Sequence, residues 1–280
     1  MSVTIKTAEE IELMREAGRI LAAVHSELGK SIKPGMSTLD VDRLGEEMIR
    51  SYGCEPSFLN YNGYPASICV SVNEEVVHGI PHPDHIILDG DIVSLDAGVI
   101  YKGYHSDAAR TIAVGDVSQD ALDLIERTKQ SFFRGMCGAI AGNRLYEVSG
   151  LIGEYARSFG YGVVEELCGH GIGRNLHEEP EIPNFSQPWY RPGIKLKAGM
   201  TLAVEPMINM GSKEVVLIDD DWTVETEDLS LSAHYENTIL IKEKGAPEIL
   251  TLTDEEKEQG LDKYENWLRI TGIDLEAIKK

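Results

Sequence analysis

The stretch Asp91-Ile-Val-Ser-Leu-Asp96-Ala-Gly-Val-Ile-Tyr101-Lys-Gly-Tyr104-His-Ser-Asp107-Ala-Ala-Arg110-Thr-Ile decides the fold. Two runs of strand-forming residues, 92–100 and 107–114, lie on either side of Lys102-Gly103, which predicts a hairpin. With a two-residue turn there, residue 109 faces Asp96 and residue 98 faces Asp107. The two carboxylates then become diagonal neighbours on one face of the ladder, with Cα atoms about 7–8 Å apart. That is close enough to serve the same bound ions.

Working outward, Thr7-Ala-Glu-Glu10 is a capping box that opens a helix. Its apolar stripe runs Leu13, Ala17, Ile20, Leu21, Val24, Leu28 and is expected to stop at Gly29. A second helix is expected from the Ser37/Thr38 cap through Val41, Leu44, Met48 and Ile49 to Tyr52-Gly53. A further strand is read at residues 68–72, and a long helical stretch from about 118 to 141.

The second half echoes the first. Ile32-Lys-Pro-Gly with its following helix returns at Ile140-Ala-Gly-Asn, and His78-Gly-Ile-Pro81 returns as His170-Gly-Ile-Gly173. Asp91-Ile-Val-Ser-Leu-Asp96 is matched by Met200-Thr-Leu-Ala-Val-Glu205, and the Asp107 strand by Glu236-Asn-Thr-Ile239. Four matches in one order, at offsets of 92 to 129 in the metal-ligand positions, suggest two copies of one unit. The repeats are expected at about 30–115 and 138–245, inside a single domain of residues 1–252. Residues 253–280, with a capping box at Thr253 and Glu256 and apolar Leu261, Tyr264, Trp267 and Leu268, read as an appended amphipathic helix that packs back on the core. Each echoed position carries a metal-ligand type, so a symmetric fold would gather these residues at one central interface.

Composition excludes several functions. Of 280 residues, 42% are hydrophobic and 26% charged, enough to bury roughly three-quarters of the unfolded surface and to exclude a disordered chain. Lys and Arg number 26 against 47 Asp and Glu, a net charge of −21 that repels nucleic-acid phosphates and anionic lipid. No stretch approaches the roughly 20 apolar residues of a membrane span, and the first residues lack the apolar core of a signal peptide, so a cytoplasmic protein is expected. Cys54, Cys69, Cys137 and Cys168 form no C-x-x-C pair, which argues for reduced thiols and against a zinc ribbon.

Glu205 ends the apolar run Met200-Thr-Leu-Ala-Val, and Glu236 precedes the apolar run Thr238-Ile-Leu-Ile241. With Asp96 and Asp107 they make four acids aimed at a buried site. Two carboxylates about 4 Å apart repel by about 4 kcal/mol even at an effective dielectric near 20. Two divalent cations neutralise four such groups, with His170 as a neutral nitrogen ligand, and this donor set suits Co, Mn, Fe or Zn. Cys168 has no orienting third group and is expected to be inert. Gly169-His-Gly-Ile-Gly173 lacks the Lys-Ser/Thr ending of a phosphate loop, so its glycines are read as allowing close backbone approach at the metal site. No second His stands four residues after His177, which removes the zincin helix.

These residues resemble those of the type I (bacterial-type) methionine aminopeptidases, in the pita-bread superfamily of dinuclear metallohydrolases, over about residues 5–252. The likeness is carried by Ser71-Val-Asn73-Glu-Glu-Val-Val-His78-Gly-Ile-Pro81, by Asp96 with Asp107, by Gly169-His170-Gly-Ile-Gly173, by His177-Glu-Glu-Pro180, by Glu205-Pro-Met207 and by Glu236-Asn-Thr-Ile239. It implies an α/β (α+β) fold with a pseudo-two-fold axis, a curved, mostly antiparallel sheet backed by two pairs of helices. It implies two divalent ions, Asp96 holding one, His170 and Glu205 completing the other, and Asp107 and Glu236 bridging both. The implied reaction removes the N-terminal methionine from nascent proteins and peptides with a small second residue. Glu205 would carry the proton, His78 and His177 would donate hydrogen bonds to the reacting amide, and Tyr61, Tyr64, Cys69 and Trp222 would line the side-chain pocket.

Leu176 departs from the Phe usual in bacterial relatives, a loss of one ring wall worth about 1–3 kcal/mol of discrimination. Some relatives dock near the ribosomal exit tunnel through basic loops, which makes the ribosome a candidate partner here, although a charge of −21 leaves such a contact hard to predict. A monomer is expected, without nucleic-acid or membrane partners. His82 and His85 are read as exposed and outside the ligand pattern, His25 and His105 are read in the same way, and His234 stays undecided. Two rival functions share the fold. An Xaa-Pro aminopeptidase or dipeptidase usually has a sizeable extra N-terminal domain, whereas the first motif helix here starts at Thr7. A non-catalytic binding protein would have lost ligands, and all five are present.

Overall fold

The computed structural model describes residues 3–186 and 192–273. The first half folds as α1 (Ala8–Ser31), α2 (Thr38–Ser51), β1 (Glu55–Pro56), β2 (Ile68–Val72), β3 (Glu75–Val77), β4 (Ile92–Tyr101) and β5 (Tyr104–Ala113). The second half has α3 (Gln119–Met136), α4 (Leu145–Arg157), β6 (Gly162–Val163), β7 (Cys168–Gly171), β8 (Glu178–Pro183), β9 (Thr201–Val204), β10 (Met207–Asn209), β11 (Val215–Leu217), β12 (Val224–Thr226), β13 (Ser232–Leu240) and β14 (Glu248–Ile249). Two short helices follow, α5 (Asp254–Glu258) and α6 (Tyr264–Ile270).

The caps at Thr7 and Ser37 form as the sequence predicts, each side chain accepting from the third helical N–H while the acid there returns the bond. α1 nevertheless runs past Gly29 to Ser31. Gly29 keeps helical geometry and lies against Ile112, and the helix ends only where Pro34 restricts the residues before it. α3 stops at Met136, short of residue 141, because Gly135 and Gly138 press against Ile152 and Leu151 of α4 and the chain turns there, Gly138 N–H bonding to Gly135.

An eleven-stranded sheet carries the path β1-β4-β5-β13-β9-β7-β8, and every pairing along it is antiparallel. A separate three-stranded sheet orders β11-β12-β3. Lys102 and Gly103 form the predicted turn with φ of 48° and 81°, the paired positive values that a tight hairpin needs. Alternation along the strands gives the large sheet two different faces. One face packs on helices: Leu21 and Leu28 of α1 and Val41 and Ile49 of α2 bury Leu95, Val99 and Ala108. Phe132 and Phe133 of α3 and Ile152 of α4 do the same for Val204, Tyr235 and Ile239. The other face carries the acids.

The C-terminal segment differs from the single helix expected. Gly260, at φ 76°, breaks it into α5 and α6, and residues 274–280 lie outside the described residues. It packs on the core as expected. Trp267 is 2% exposed, joins Phe133 and Leu261 in the α3 cluster, and donates its indole N–H to the Leu261 carbonyl at 2.6 Å.

Candidate active site

Register places the five ligand candidates. Asp96 pairs with Ala109 and Gly98 with Asp107 across β4 and β5, as the hairpin reading required. Glu236 pairs with the same Ala109 from β13. Residues directly opposite share a face, as do residues two apart, so Asp96, Asp107 and Glu236 project together with small Ala109 between them. Ala203 of β9 pairs with both Thr238 of β13 and His170 of β7. His170 therefore joins that face, and so does Glu205, two residues beyond Ala203. Four neighbouring strands each carry one ligand candidate, and Glu205 follows directly on the end of the fifth, β9. Glu236 lies inside β13, which starts six residues earlier than the apolar run alone suggested.

The glycines around His170 serve these strands. A Cβ on Gly169 would strike the Ala203 carbonyl, and one on Gly171 the Glu179 carbonyl. Only glycine lets β7 sit between β8 and β9, so the close approach is to neighbouring backbone, where the sequence reading placed it at the metal site.

Electrostatically the cluster is incomplete. Asp96 Oδ1, Asp107 Oδ1 and Glu236 Oε1 are buried without a hydrogen-bond partner. Burial raises the Asp96 carboxyl to about 7. Asp107, Glu205 and Glu236 are pushed well above the ordinary range, first by burial and then by one another's charge. His170 makes the case for a cation. Its Nδ1 lies 2.9 Å from the Gly171 carbonyl, which commits that N–H and leaves Nε2 as a bare lone pair. Nε2 faces Glu205 at 3.7 Å and Asp107 at 3.9 Å, and burial lowers the ring to about 3. A neutral nitrogen directed at carboxylates, its other N–H held by a backbone oxygen, is the preparation seen in metal-binding histidines. Ligand atoms of Asp107, His170 and Glu236 lie within 4.8 Å of one another. The donor set fits divalent cations.

The remaining site residues close around this cluster. Tyr61, Tyr64, Cys69, His78, His177 and Trp222 line one cavity of about 120 Å³ with the five ligands. That is well below the roughly 300–1,000 Å³ of pockets that take drug-sized ligands, and it suits one side chain. Trp222 meets Tyr64 edge to face at 5.2 Å. Tyr64 donates to the Gly79 carbonyl at 2.9 Å, which fixes the ring. His78 has φ 60°, a conformation costing about 1–3 kcal/mol, and burial lowers its ring to about 4. His177 is lowered in the same way, so both rings are neutral donors at neutral pH. The Tyr61 hydroxyl lies 2.8 Å from His177 Nδ1. With the phenol donating, the ring proton sits on Nε2.

Phe58 and Asn62 also line the cavity, and neither stood out in the sequence. Phe58 packs in one cluster with the buried Leu176, so an aromatic wall is present despite the Leu. His82 is exposed as expected, whereas His85 is half-buried 3.7 Å from Glu75. His25 and His105 are not exposed either and bond to Ala108 O and Ser57 Oγ, at 2.8 and 3.0 Å. His234 is buried, with neither nitrogen bonded, and its Nε2 lies 3.9 Å from Glu205 and 4.0 Å from Glu236. Its strand alternation with Glu236 was the signal that could have found it. Cys168 is half-buried and burial raises its thiol, in keeping with an inert residue.

Comparison with known proteins agrees with this geometry. Residues 12–243 match the model of metallopeptidase family M24. A curated methionine aminopeptidase from Clostridium acetobutylicum is 52% identical over 252 residues, 90% of this chain and 100% of its own. The crystal structure of methionine aminopeptidase from Thermotoga maritima aligns with a TM-score of 0.86 at 43% identity, over 90% of this chain and 100% of that one. An Xaa-Pro dipeptidase from Bacillus anthracis gives a TM-score of 0.70 at 30% identity, over 88% of this chain but 61% of that one.

Proposed function

Because this chain belongs to metallopeptidase family M24, with the mostly antiparallel pita-bread fold of its relatives, we propose that it hydrolyses the first peptide bond of chains that begin with methionine. The observation that carries the reading is His170 Nε2, bare and facing acids whose buried oxygens have no partner. The supporting relatives are methionine aminopeptidases matched over their full length.

In this reading Asp96, Asp107, His170, Glu205 and Glu236 would together hold two divalent ions, Asp96 serving one, His170 and Glu205 the other, and Asp107 and Glu236 both. When bound, such ions would supply Lewis acidity toward the scissile carbonyl and would lower the pKa of water. Glu205 would take a proton from the attacking water and pass it to the leaving amine. His78 and His177, neutral and aimed into the cavity, donate to the amide as negative charge develops, an arrangement in which one donor is worth about 10²–10³ in rate. Tyr64, Cys69, Trp222 and Phe58 exclude water and accept an unbranched thioether.

The proposal extends to the setting. The protein works as a monomer in the cytoplasm on peptide and nascent-chain N-termini, and any ribosome contact would have to use local basic loops against a net charge of −21. Among the described residues no helix is long and apolar enough to cross a membrane. The single domain of residues 1–252 is proposed to be a duplication, supported by the paired helices on each half of the sheet. Met-Gly and Met-Ala-Ser peptides are expected to be cleaved and Met-Leu peptides poorly; comparable rates for Met-Gly and Met-Leu would contradict the proposed selectivity.

A further inference from the structure

On the helix-facing side of β5 and β13, behind Asp107 and Glu236, lies a buried network that the reaction leaves unused. Arg110 is its centre. Its Nε and Nη2 engage both carboxylate oxygens of Glu256 at 2.9 and 2.8 Å. Nη1 donates to the carbonyls of Ala109 at 2.8 Å and of Glu236 itself at 2.5 Å. Nη2 also reaches Asn237 Oδ1 at 2.8 Å and the Thr251 carbonyl at 3.2 Å. The guanidinium lies 4.3 Å over the Tyr235 ring, and the Tyr235 hydroxyl donates to Glu256 at 2.7 Å. Glu256 is itself fixed in α5, where its backbone and side chain close the capping box with Thr253.

A buried ion pair is weak evidence of stability, because well-packed apolar groups often do as well. What an apolar group could not do is hold the Ala109 and Glu236 carbonyls at once. Those carbonyls belong to the directly paired residues of β5 and β13, one of them a ligand and the other two residues from Asp107. Lysine could not do it either, since the planar fork of arginine supplies donors in several fixed directions. Glu256 lies beyond residue 243, where the family match ends, so through this side chain the C-terminal segment reaches the guanidinium that holds the two ligand strands.

We propose that Arg110, clamped by Glu256, is a positioning residue that sets the spacing of the Asp107 and Glu236 strands and thereby the affinity of the site for divalent ions. This rests on the metal reading above. The test is calorimetric titration of metal-stripped protein with Mn²⁺, with electron paramagnetic resonance of the loaded forms and a thermal melt of each, for wild type, Arg110→Lys, Glu256→Gln and Tyr235→Phe. Arg110→Lys keeps a positive charge beside Glu256 but loses the fork. It is expected to weaken Mn²⁺ binding by about 10–100-fold, the range for outer-shell partners of metal ligands, and to alter the Mn²⁺ spectrum. Glu256→Gln should do the same and Tyr235→Phe less, so the test stands even where Glu256→Gln does not fold. Variants that melt lower yet bind Mn²⁺ with wild-type affinity and spectrum would overturn the proposal and leave Arg110 a purely structural residue. Wild-type protein that fails to bind Mn²⁺ would overturn the metal reading itself, and this inference with it.

Discussion

The two faces of β5 and β13 carry opposite solutions to buried charge. On one face Asp107 and Glu236 are enclosed with oxygens that no hydrogen bond satisfies. On the other, three residues from Asp107 in β5 and one from Glu236 in β13, Arg110 and Tyr235 are bonded to Glu256, whose carboxyl burial would raise but Arg110 and Tyr235 hold below the ordinary range. The same strands thus contain a cluster whose charged groups folding leaves unpaired and a network whose charged groups folding pairs. Burial alone does not distinguish them. Partner count does: leaving a charged group unpaired costs several kcal/mol, so the unpaired face marks where something from solution belongs.

The comparison breaks first on its open face. Asp107→Ala removes a ligand proposed to serve both ions, and kcat/KM should fall by more than the about 10–100-fold typical of an outer-shell loss. The paired face should respond differently: Glu256→Ala strands the Arg110 charge and should destabilise the fold by about 3–5 kcal/mol, read by urea unfolding. Equal stability losses from Asp107→Ala and Glu256→Ala in metal-free protein would erase the distinction.

A pH series sharpens it. Without metal, the Asp96 carboxyl is raised to about 7 from an ordinary 3.8, so the folded state binds more protons than the unfolded one between those values. Its contribution is therefore present in full at low pH and lost as pH rises through about 7. Metal binding needs the same groups deprotonated. The gap in melting temperature between metal-loaded and chelator-treated protein should widen from acid to neutral pH, and Asp96→Asn should reduce it; a pH-independent gap would contradict this. The smallest effect is expected at Tyr61→Phe, which removes the phenol from His177 Nδ1. One hydrogen bond of about 0.5–1.5 kcal/mol should lower kcat a few-fold to about tenfold with metal affinity unchanged.

Much of the open face was legible in the sequence. Asp96, Asp107, His170, Glu205 and Glu236 stand in or beside apolar runs, where an acid or imidazole is out of place unless it serves a buried site, and the hairpin turn at Lys102-Gly103 fixed the register of the first two. His78 and His177 were identified through their motifs, and Tyr61, Tyr64, Cys69 and Trp222 through the family resemblance; all six share one cavity. The paired face was not legible. Arg110 and Glu256 are separated by 146 residues, and an arginine or glutamate in an ordinary amphipathic context gives no sign of a distant partner. Phe58 was missed because an aromatic residue beside a turn is most often core. The extra residues of α1 and the division of the C-terminal helix turned on glycine φ values, helical at Gly29 and positive at Gly260, which local sequence does not determine.

The central claim is that these acids coexist by enclosing ions that do chemistry. Its most direct test is equilibrium dialysis against Mn²⁺ with elemental analysis of the protein, paired with methionine release from a Met-Gly-Met-Met peptide by the same samples. Two ions per chain, with release that is abolished by chelation and in Asp107→Ala, is the predicted result. Protein that retains no ion, or that releases methionine equally well after chelation, would contradict the account.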